Sequence, residues 1–328
     1  MPLPTLSIIM LVFNSDFFLK KSINSILNQT FTNFEFIIID DGSIDNSIEI
    51  LNSFNDSRIK ILFNNTNKGI VYSRNKGLKL AKGKYIAMFD SDDIASPSKF
   101  EKQINFLENN FDYGMVGCWC ETINREGEKT EKTFKLKAQA KDIPSILLFR
   151  NYFINSAVVF RKEIVKDFVY PTGYDIGEDY FLWIYISHKS KIWNFPEYLV
   201  KYRIHDNSIT KKERELKNGF TKIFCTQFNY LKIHPQKHDY EAHFLIKNKN
   251  KITTKENLVK IEKWINLLYS QNKKEKLYNN KIFVKTLFNR WLKAINKSKG
   301  LGIFAVIKLL KSRIIWIYIQ QSIILSNK

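Results

Sequence analysis

Cysteine is nearly absent from the 328-residue sequence, and the three that occur, Cys118, Cys120 and Cys225, lack the paired spacing of a zinc site. Neither a disulfide framework nor a structural zinc is therefore expected to hold the chain together. Cys118 and Cys120, two apart on a strand, would put both thiols on one face as buried, reduced side chains. Proline and glycine are also scarce, at 7 and 12 residues, and no Pro- or Gly-rich linker or internal repeat divides the chain. No amino-terminal stretch joins a basic start, an apolar centre and a small-residue cleavage site, because residues 1–14 run straight into a first strand, and a cytosolic chain is expected. Uninterrupted apolar runs of ~20 residues are missing too. The best candidate, residues 300–325, is broken by Lys308, Lys311 and Arg313, which argues against a spanning helix.

Acidic residues are what the last third lacks. Residues 1–205 carry 26 basic and 24 acidic side chains, whereas residues 206–328 carry 26 against 8, so almost all of the net charge of +20 belongs to the tail. Such a tail suits an anionic surface. What is abundant is apolar and aromatic side chain, 44% and 14% of the sequence, enough for a sizeable core.

The first half alternates strand-like apolar runs with helical patterns. Residues 6–14 (LSIIMLVFN) have the continuous apolar character of a strand buried on both faces. A helix over 17–28 follows, then a strand over 34–43, a helix capped by Ser43 and Asp45 that runs to about Phe54, a strand over 58–64, a helix over 70–81 and a strand from 84. This βαβαβαβ order predicts an α/β fold with a mostly parallel sheet and helices on both faces. Further on, the pattern predicts a helix to residue 109, strands over 113–123 and 153–160, a helix ending near His188 and a last strand over 198–204. Beyond residue 210 only lysine-rich helical patterns follow. The expected division is residues 1–210 as the α/β domain and 211–328 as a basic, all-helical C-terminal region.

In open α/β sheets ligands lie beyond the carboxyl ends of the strands. Asn14, Asp40 with Asp41, and the run Asp90-Ser91-Asp92-Asp93 all fall at strand ends, so three segments converge on one crevice. Two carboxylates ~4 Å apart repel by roughly 1 kcal/mol in water and about 4 at an effective dielectric of 20. Crowding them at a buried strand end calls for a positive partner.

Taken in order, SIIMLVFN, IIIDDGSIDNS, NKGIVYSRNKGL and YIAMFDSDD resemble glycosyltransferase family 2, over about residues 5–205. The resemblance implies a GT-A fold, a nucleotide-sugar donor, a divalent metal and inversion at the anomeric carbon. It implies that Asp90 and Asp92, matching the family's Asp-x-Asp motif, hold Mn2+ or Mg2+, with His205 touching the metal or phosphate. A carboxylate that only accepts suits the imide N–H of uracil, and Asp41 matches the family's base contact. Phe13 stands where many members carry a base-stacking Tyr, and Leu11 replaces a Pro or Thr, which leaves the donor open. Arg74 matches a basic nucleotide contact, and Arg203, in the segment 202–210 that closes over the diphosphate in relatives, would pair with it. Inverting transfer needs a base within reach of the acceptor hydroxyl. Asp179 of the sequence GED matches the family's base, with Glu178 as helper or acceptor contact.

The reading is an inverting, metal-dependent enzyme using a UDP-sugar and extending a glycan or lipid-linked acceptor in surface polysaccharide synthesis. One alternative is a sugar-nucleotide nucleotidyltransferase, although NSDFFLKK after the first strand lacks the glycine-rich basic loop. The other is an inactive membrane-bound scaffold, which would have no need of buried negative charge. Residues 300–325 mix large apolar residues with Lys308, Lys311 and Arg313, the pattern of an interfacial helix on an anionic membrane, the alternative being a tail helix packed on the first domain or on a partner. The expected location is peripheral, on the inner face of the cytoplasmic membrane. No motif for base stacking or groove reading points to nucleic acid.

Overall fold

The structure is a computed structural model that describes residues 3–135, 137–205, 213–247 and 251–326. Strands β1 (Leu6–Val12), β2 (Phe34–Asp40), β3 (Ile59–Phe63) and β4 (Tyr85–Asp90) alternate with helices α1 (Asp16–Leu27), α2 (Ser47–Asn52) and α3 (Ile70–Leu80). The four strands pair in parallel in the order β3-β2-β1-β4. The central strand β1 is nearly all apolar because it has a strand on each side and helices over its faces. Leu6, Ile8, Met10 and Val12 meet Phe36, Ile38, Tyr85, Ala87 and Leu19 in one core. Gly77 lets α3 sit on this sheet, since a Cβ there would come within 2.6 Å of the Ile9 side chain.

The second half of the sheet is mixed. It comprises β5 (Ile94–Ala95), β6 (Tyr113–Ile123), β7 (Lys129–Phe134), β8 (Val159–Arg161) and β9 (Lys191–Arg203), with helices α4 (Lys99–Asn109) and α6 (Glu178–Lys189), while the short α5 (Ile143–Leu147) falls between β7 and β8 in sequence. β8 lies antiparallel between β4 and β6, while β6 and β9 run parallel. Two sequence expectations are corrected here. The run 153–160 is not one strand: Asn155–Ala157 forms a 3-10 turn and only Val159–Arg161 pairs as a strand, because the Asn155 and Ser156 side chains are taken up by hydrogen bonds at the end of β4. The last strand begins at Lys191 rather than near Tyr198. It accommodates Pro196 and Glu197 in a register shift opposite Cys118 and Trp119, so the proline costs no ladder bond. Cys118 and Cys120 are free and buried on one face, as expected, and beside them Lys99 is buried with no hydrogen-bond partner for its Nζ. Burial lowers the Lys99 pKa to about 8.

Two compact units divide the chain: residues 1–140 with 152–220, and residues 141–151 with 221–328. The second consists of α5 with α7 (Glu213–Tyr230, in its greater part), α8 (Lys237–Lys247), α9 (Lys255–Glu275), α10 (Asn280–Lys297), α11 (Ile303–Leu310) and α12 (Arg313–Ser326). The stripe Leu258, Ile261, Trp264, Ile265 and Leu268 of α9 is buried at helical spacing, and Phe283, Val284, Leu287 and Trp291 of α10 are buried likewise. Thr254 caps α9 by accepting from the Asn257 amide at 3.2 Å. His243 is enclosed in this unit. Its Nε2 donates to the Leu148 carbonyl at 3.0 Å and its Nδ1 accepts from the Trp264 indole at 3.1 Å, which defines a neutral imidazole.

Candidate active site

Register brings the acidic strand ends level. Leu11 of β1 pairs with Ile39 on one side and Asp90 on the other, and Val12 pairs with Asp40. The chain leaving β1 is then stapled to the turn after β2. The Asn14 amide donates to Ser43 Oγ at 3.0 Å and Asn14 Oδ1 accepts from the Ile44 amide at 2.9 Å. Phe13 beside it stays 47% exposed, so its ring face is open to a ligand. Gly42 turns at φ +78°, where a Cβ would come within 2.6 Å of the Thr66 backbone, and this close approach draws the 64–69 loop against Asp41.

Asp41 organises that loop. Its Oδ1 accepts from Asn64 Nδ2 at 2.7 Å, from the Lys68 amide at 3.0 Å and from Ser73 Oγ at 3.0 Å. Its Oδ2 accepts from the Gly69 amide at 2.8 Å, which leaves an acceptor direction on that oxygen. Asp40 instead closes the turn, accepting from the Gly42 and Ser43 amides.

Asp90 ends β4 in a bed of polar side chains. Its amide donates to Ser156 Oγ at 2.9 Å, and Asn155 Nδ2 donates to its Oδ1 at 2.6 Å. Arg74, on α3, reaches from below: Nη2 lies 3.8 Å from Asp90 Oδ1 and 2.9 Å from Glu178 Oε1, Nε donates to the same Glu178 oxygen at 3.0 Å, and Nη1 donates to Asn155 Oδ1. Burial, and then the charges of Asp92 and Glu178, lift Asp90 to about 6 against the opposing pull of Arg74. Asp92 faces His205, with Nε2 2.9 Å from Oδ2, and the imidazole packs against Phe18 at 5.0 Å. Asp93 points inward, where its Oδ1 accepts from the Arg203 amide at 2.8 Å and burial holds its pKa well above the carboxylate range.

Glu178 and Asp179 open α6 after Gly177, which adopts φ +83°. Acidic residues are favoured in a first helical turn. Asp179 is lifted to about 7, by burial first and then by the charge of Glu178, with Arg74 opposing.

The two arginines are occupied differently from what the resemblance implies. Arg74 is 4% exposed and Arg203 2%. Arg203 donates from Nε to the Asp92 carbonyl at 2.8 Å and from Nη1 to the carbonyls of Asn124 and Arg125. Both brace the acidic rim from within rather than standing open to a diphosphate. Residues 206–210 of the expected closing segment lie outside the described residues. Asn155, Ser156, Asn64 and Ser73, which hold the acidic residues in place, carry no local sequence signal, since asparagine and serine are ordinary turn residues.

Among the described residues no three His, Cys, Asp or Glu side chains are arranged to enclose a metal ion. The fit of a hard cation rests on the partly exposed carboxylates of Asp90 and Asp92, two residues apart at the end of β4, where burial first and then the Asp92 charge raise the Asp90 pKa. The remaining ligands would come from substrate phosphate and water, the usual arrangement for Mg2+.

Comparison with known proteins agrees with this architecture. The family model described as Glycosyl transferase family 2 matches residues 7–213. A glycosyltransferase of Haemophilus influenzae is 36% identical over 215 residues, 62% of this chain and 67% of that protein. The Escherichia coli UDP-Glc:alpha-D-GlcNAc-diphosphoundecaprenol beta-1,3-glucosyltransferase WfgD is 35% identical over 251 residues, 72% of this chain and 95% of that one. In fold, the chain is similar to S. aureus TarS 1-349 solved in complex with UDP-GlcNAc, with a TM-score of 0.59 at 18% identity over 89% of each chain. The mixed sheet with its helices is thus GT-A-like, and the protein is a glycosyltransferase that belongs to glycosyl transferase family 2.

Proposed function

We propose that the protein is an inverting, metal-dependent transferase that moves a sugar from a UDP-sugar to a glycan or lipid-linked acceptor in surface polysaccharide synthesis. The observation that carries the reading is the level register of β2, β1 and β4, which sets Asp40 and Asp90 at one edge of the sheet, with Asp41 and Asp92 just beyond them in the chain. The named activity of WfgD and the UDP-GlcNAc complex of TarS support the donor class.

In this reading the remaining acceptor direction of Asp41 Oδ2 takes the uracil imide N–H while Phe13 covers the base. Asp90 and Asp92 would hold Mn2+ or Mg2+, with His205 at the Asp92 carboxylate. Such an ion, when bound, neutralises charge that grows on the leaving diphosphate. Arg74 and Glu178 fix Asp90 and the start of α6, and Arg203 fixes the Asp92 turn. Asp179 removes the proton of the acceptor hydroxyl as that oxygen bonds the anomeric carbon and the bond to the UDP oxygen breaks on the opposite face. The enzyme would work peripherally on the inner face of the cytoplasmic membrane, where a lipid-linked acceptor is presented. No described helix is long and apolar enough to cross a membrane.

The test is release of UDP from UDP-sugars, UDP-glucose first, with Mn2+ or with EDTA, and with a GlcNAc-diphospholipid acceptor. Metal-dependent turnover is expected for the intact protein, and Asp92→Ala should lower it by at least about 100-fold, the scale of lost electrostatic stabilisation, with unchanged thermal melting. Full activity in EDTA, or undiminished transfer by the variant, would contradict the assignment.

A further inference from the structure

Helices α11 and α12 are amphipathic the wrong way round for a soluble bundle. On α11 the buried residue is the small Ala305, while Ile303, Val306, Ile307 and Leu310, at i, i+3, i+4 and i+7, face out; on α12 Ile314 is buried and Trp316, Ile319 and Ile323 face out. These seven side chains keep 37–78% of their surface exposed. Scattered exposed apolar residues are ordinary, but a continuous stripe at helical spacing marks a contact surface. The two stripes are joined, since the Trp316 indole donates to the Leu310 carbonyl at 3.0 Å. Their rotation is fixed from behind by the Lys308–Glu262 ion pair at 2.6 Å and by the Phe288–Tyr318 ring stack at 4.0 Å.

Charge identifies what covers the stripe. From Lys276 to Lys328 the chain has eleven Lys and Arg residues and no Asp or Glu. Lys299, Lys311 and Arg313 are exposed around the stripe. A second copy would bring the exposed cations Lys299, Lys311 and Arg313 against their own copies with no acidic residue of this stretch to offset them, and nucleic acid offers nothing to bury seven large apolar side chains. A bilayer with anionic headgroups satisfies both halves of the surface. At 8 and 14 residues the helices would reach about 12 and 21 Å at ~1.5 Å per residue, short of the ~30 Å hydrocarbon core, so they would lie in the interface.

We infer that the exposed face of α11 and α12 is a docking surface for an anionic phospholipid bilayer, with the aliphatic stripe and Trp316 in the headgroup zone and the flanking lysines on lipid phosphates. This deepens the peripheral placement proposed above, yet its test uses no sugar transfer, so either reading can fail alone. The full-length protein is mixed with vesicles of phosphatidylcholine, or of phosphatidylcholine with about 30% phosphatidylglycerol as an anionic surface, and read by co-sedimentation and tryptophan fluorescence. Binding to the anionic vesicles is expected, with a blue shift that Trp316→Phe abolishes. Val306→Glu with Leu310→Glu should weaken binding at least about tenfold, since both lose apolar burial, with unchanged melting temperature. Lys299→Glu with Lys311→Glu should weaken binding to the anionic vesicles alone. Equal sedimentation with both vesicle types, absence of the blue shift, or wild-type binding by Val306→Glu/Leu310→Glu would overturn the inference. So would a wild-type dimer in light scattering that the same variant converts to monomer, because a second copy would then cover the face.

Discussion

Asp179 shows how much one side chain's surroundings decide. With its pKa pushed up to about 7, by burial and by Glu178, the carboxyl is largely protonated at pH 6 and ionised at pH 8. A general base works only when ionised. Transfer is therefore expected to fall about tenfold per pH unit below 7 and to level off above it, while Asp179→Asn keeps UDP binding and loses transfer. A flat pH–rate profile together with near-normal turnover by the variant would move the base elsewhere. Lys99 offers a stability counterpart. Its folded pKa of about 8 lies below the 10.5 of a free lysine, so its favourable contribution is complete above pH 10.5 and is lost as pH falls to 8. At pH 7 the fold carries an ammonium that lacks a hydrogen-bond partner, and Lys99→Met should raise stability by about 1–3 kcal/mol in urea unfolding. Asp41, Asp90 and Asp92 are legible as candidates because acidic residues at strand ends stand out against apolar runs, whereas Asp179 is legible only through the family resemblance of GED, since an acidic residue in a first helical turn is ordinary. Asn155 does not stand out, although it links Arg74 to Asp90.

At the scale of elements, β1, β2, β4, β6, α3 and α4 lie within two or three residues of their sequence-predicted bounds. Each is a long apolar or amphipathic segment whose local pattern matches its final environment. β8 and β9 depart from expectation because side-chain hydrogen bonds at Asn155 and Ser156, and a bulge at Pro196, override that pattern. The helix α8 carries its own test. Burial lowers His243 to about 3, so below pH 6.5 the unfolded chain takes a proton that the folded helix refuses until about pH 3. Protonation would break the bond from Trp264 and place charge against Phe149, Phe224 and Phe228. The stability held above pH 6.5 is thus lost progressively on acidification, by about 2 kcal/mol between pH 7.5 and 5 at ~1.4 kcal/mol per pH unit. Urea unfolding followed by helical circular dichroism should show that slope, and His243→Gln should flatten it.

Across the whole molecule the charge is divided, near balance to residue 205 and strongly basic beyond it. The carboxylate-rich strand ends and the cationic helical tail are thus kept on separate stretches of sequence. Electrostatic attachment weakens as the Debye length shrinks from ~10 Å at 0.1 M salt to ~3 Å at 1 M. At pH 8, below the pI of about 9.6, the chain should bind anionic vesicles at low salt and be released progressively as salt rises. Retention unaffected by salt would assign the attachment to apolar burial alone.

The sequence by itself determined the order of βα units, the acidic residues at the strand ends and the basic helical tail, because each is written in local periodicity and composition. Tertiary structure alone decided which residues hold those acids: Asn155 meets Asp90 across 65 positions, Arg74 meets Glu178 across 104, and Arg203 meets Asp93 across 110. It also decided that the aliphatic stripe of α11 turns outward instead of into a core. Local pattern specifies that a helix has an apolar face, whereas the partner of that face depends on contacts made after the chain has closed over long sequence distances.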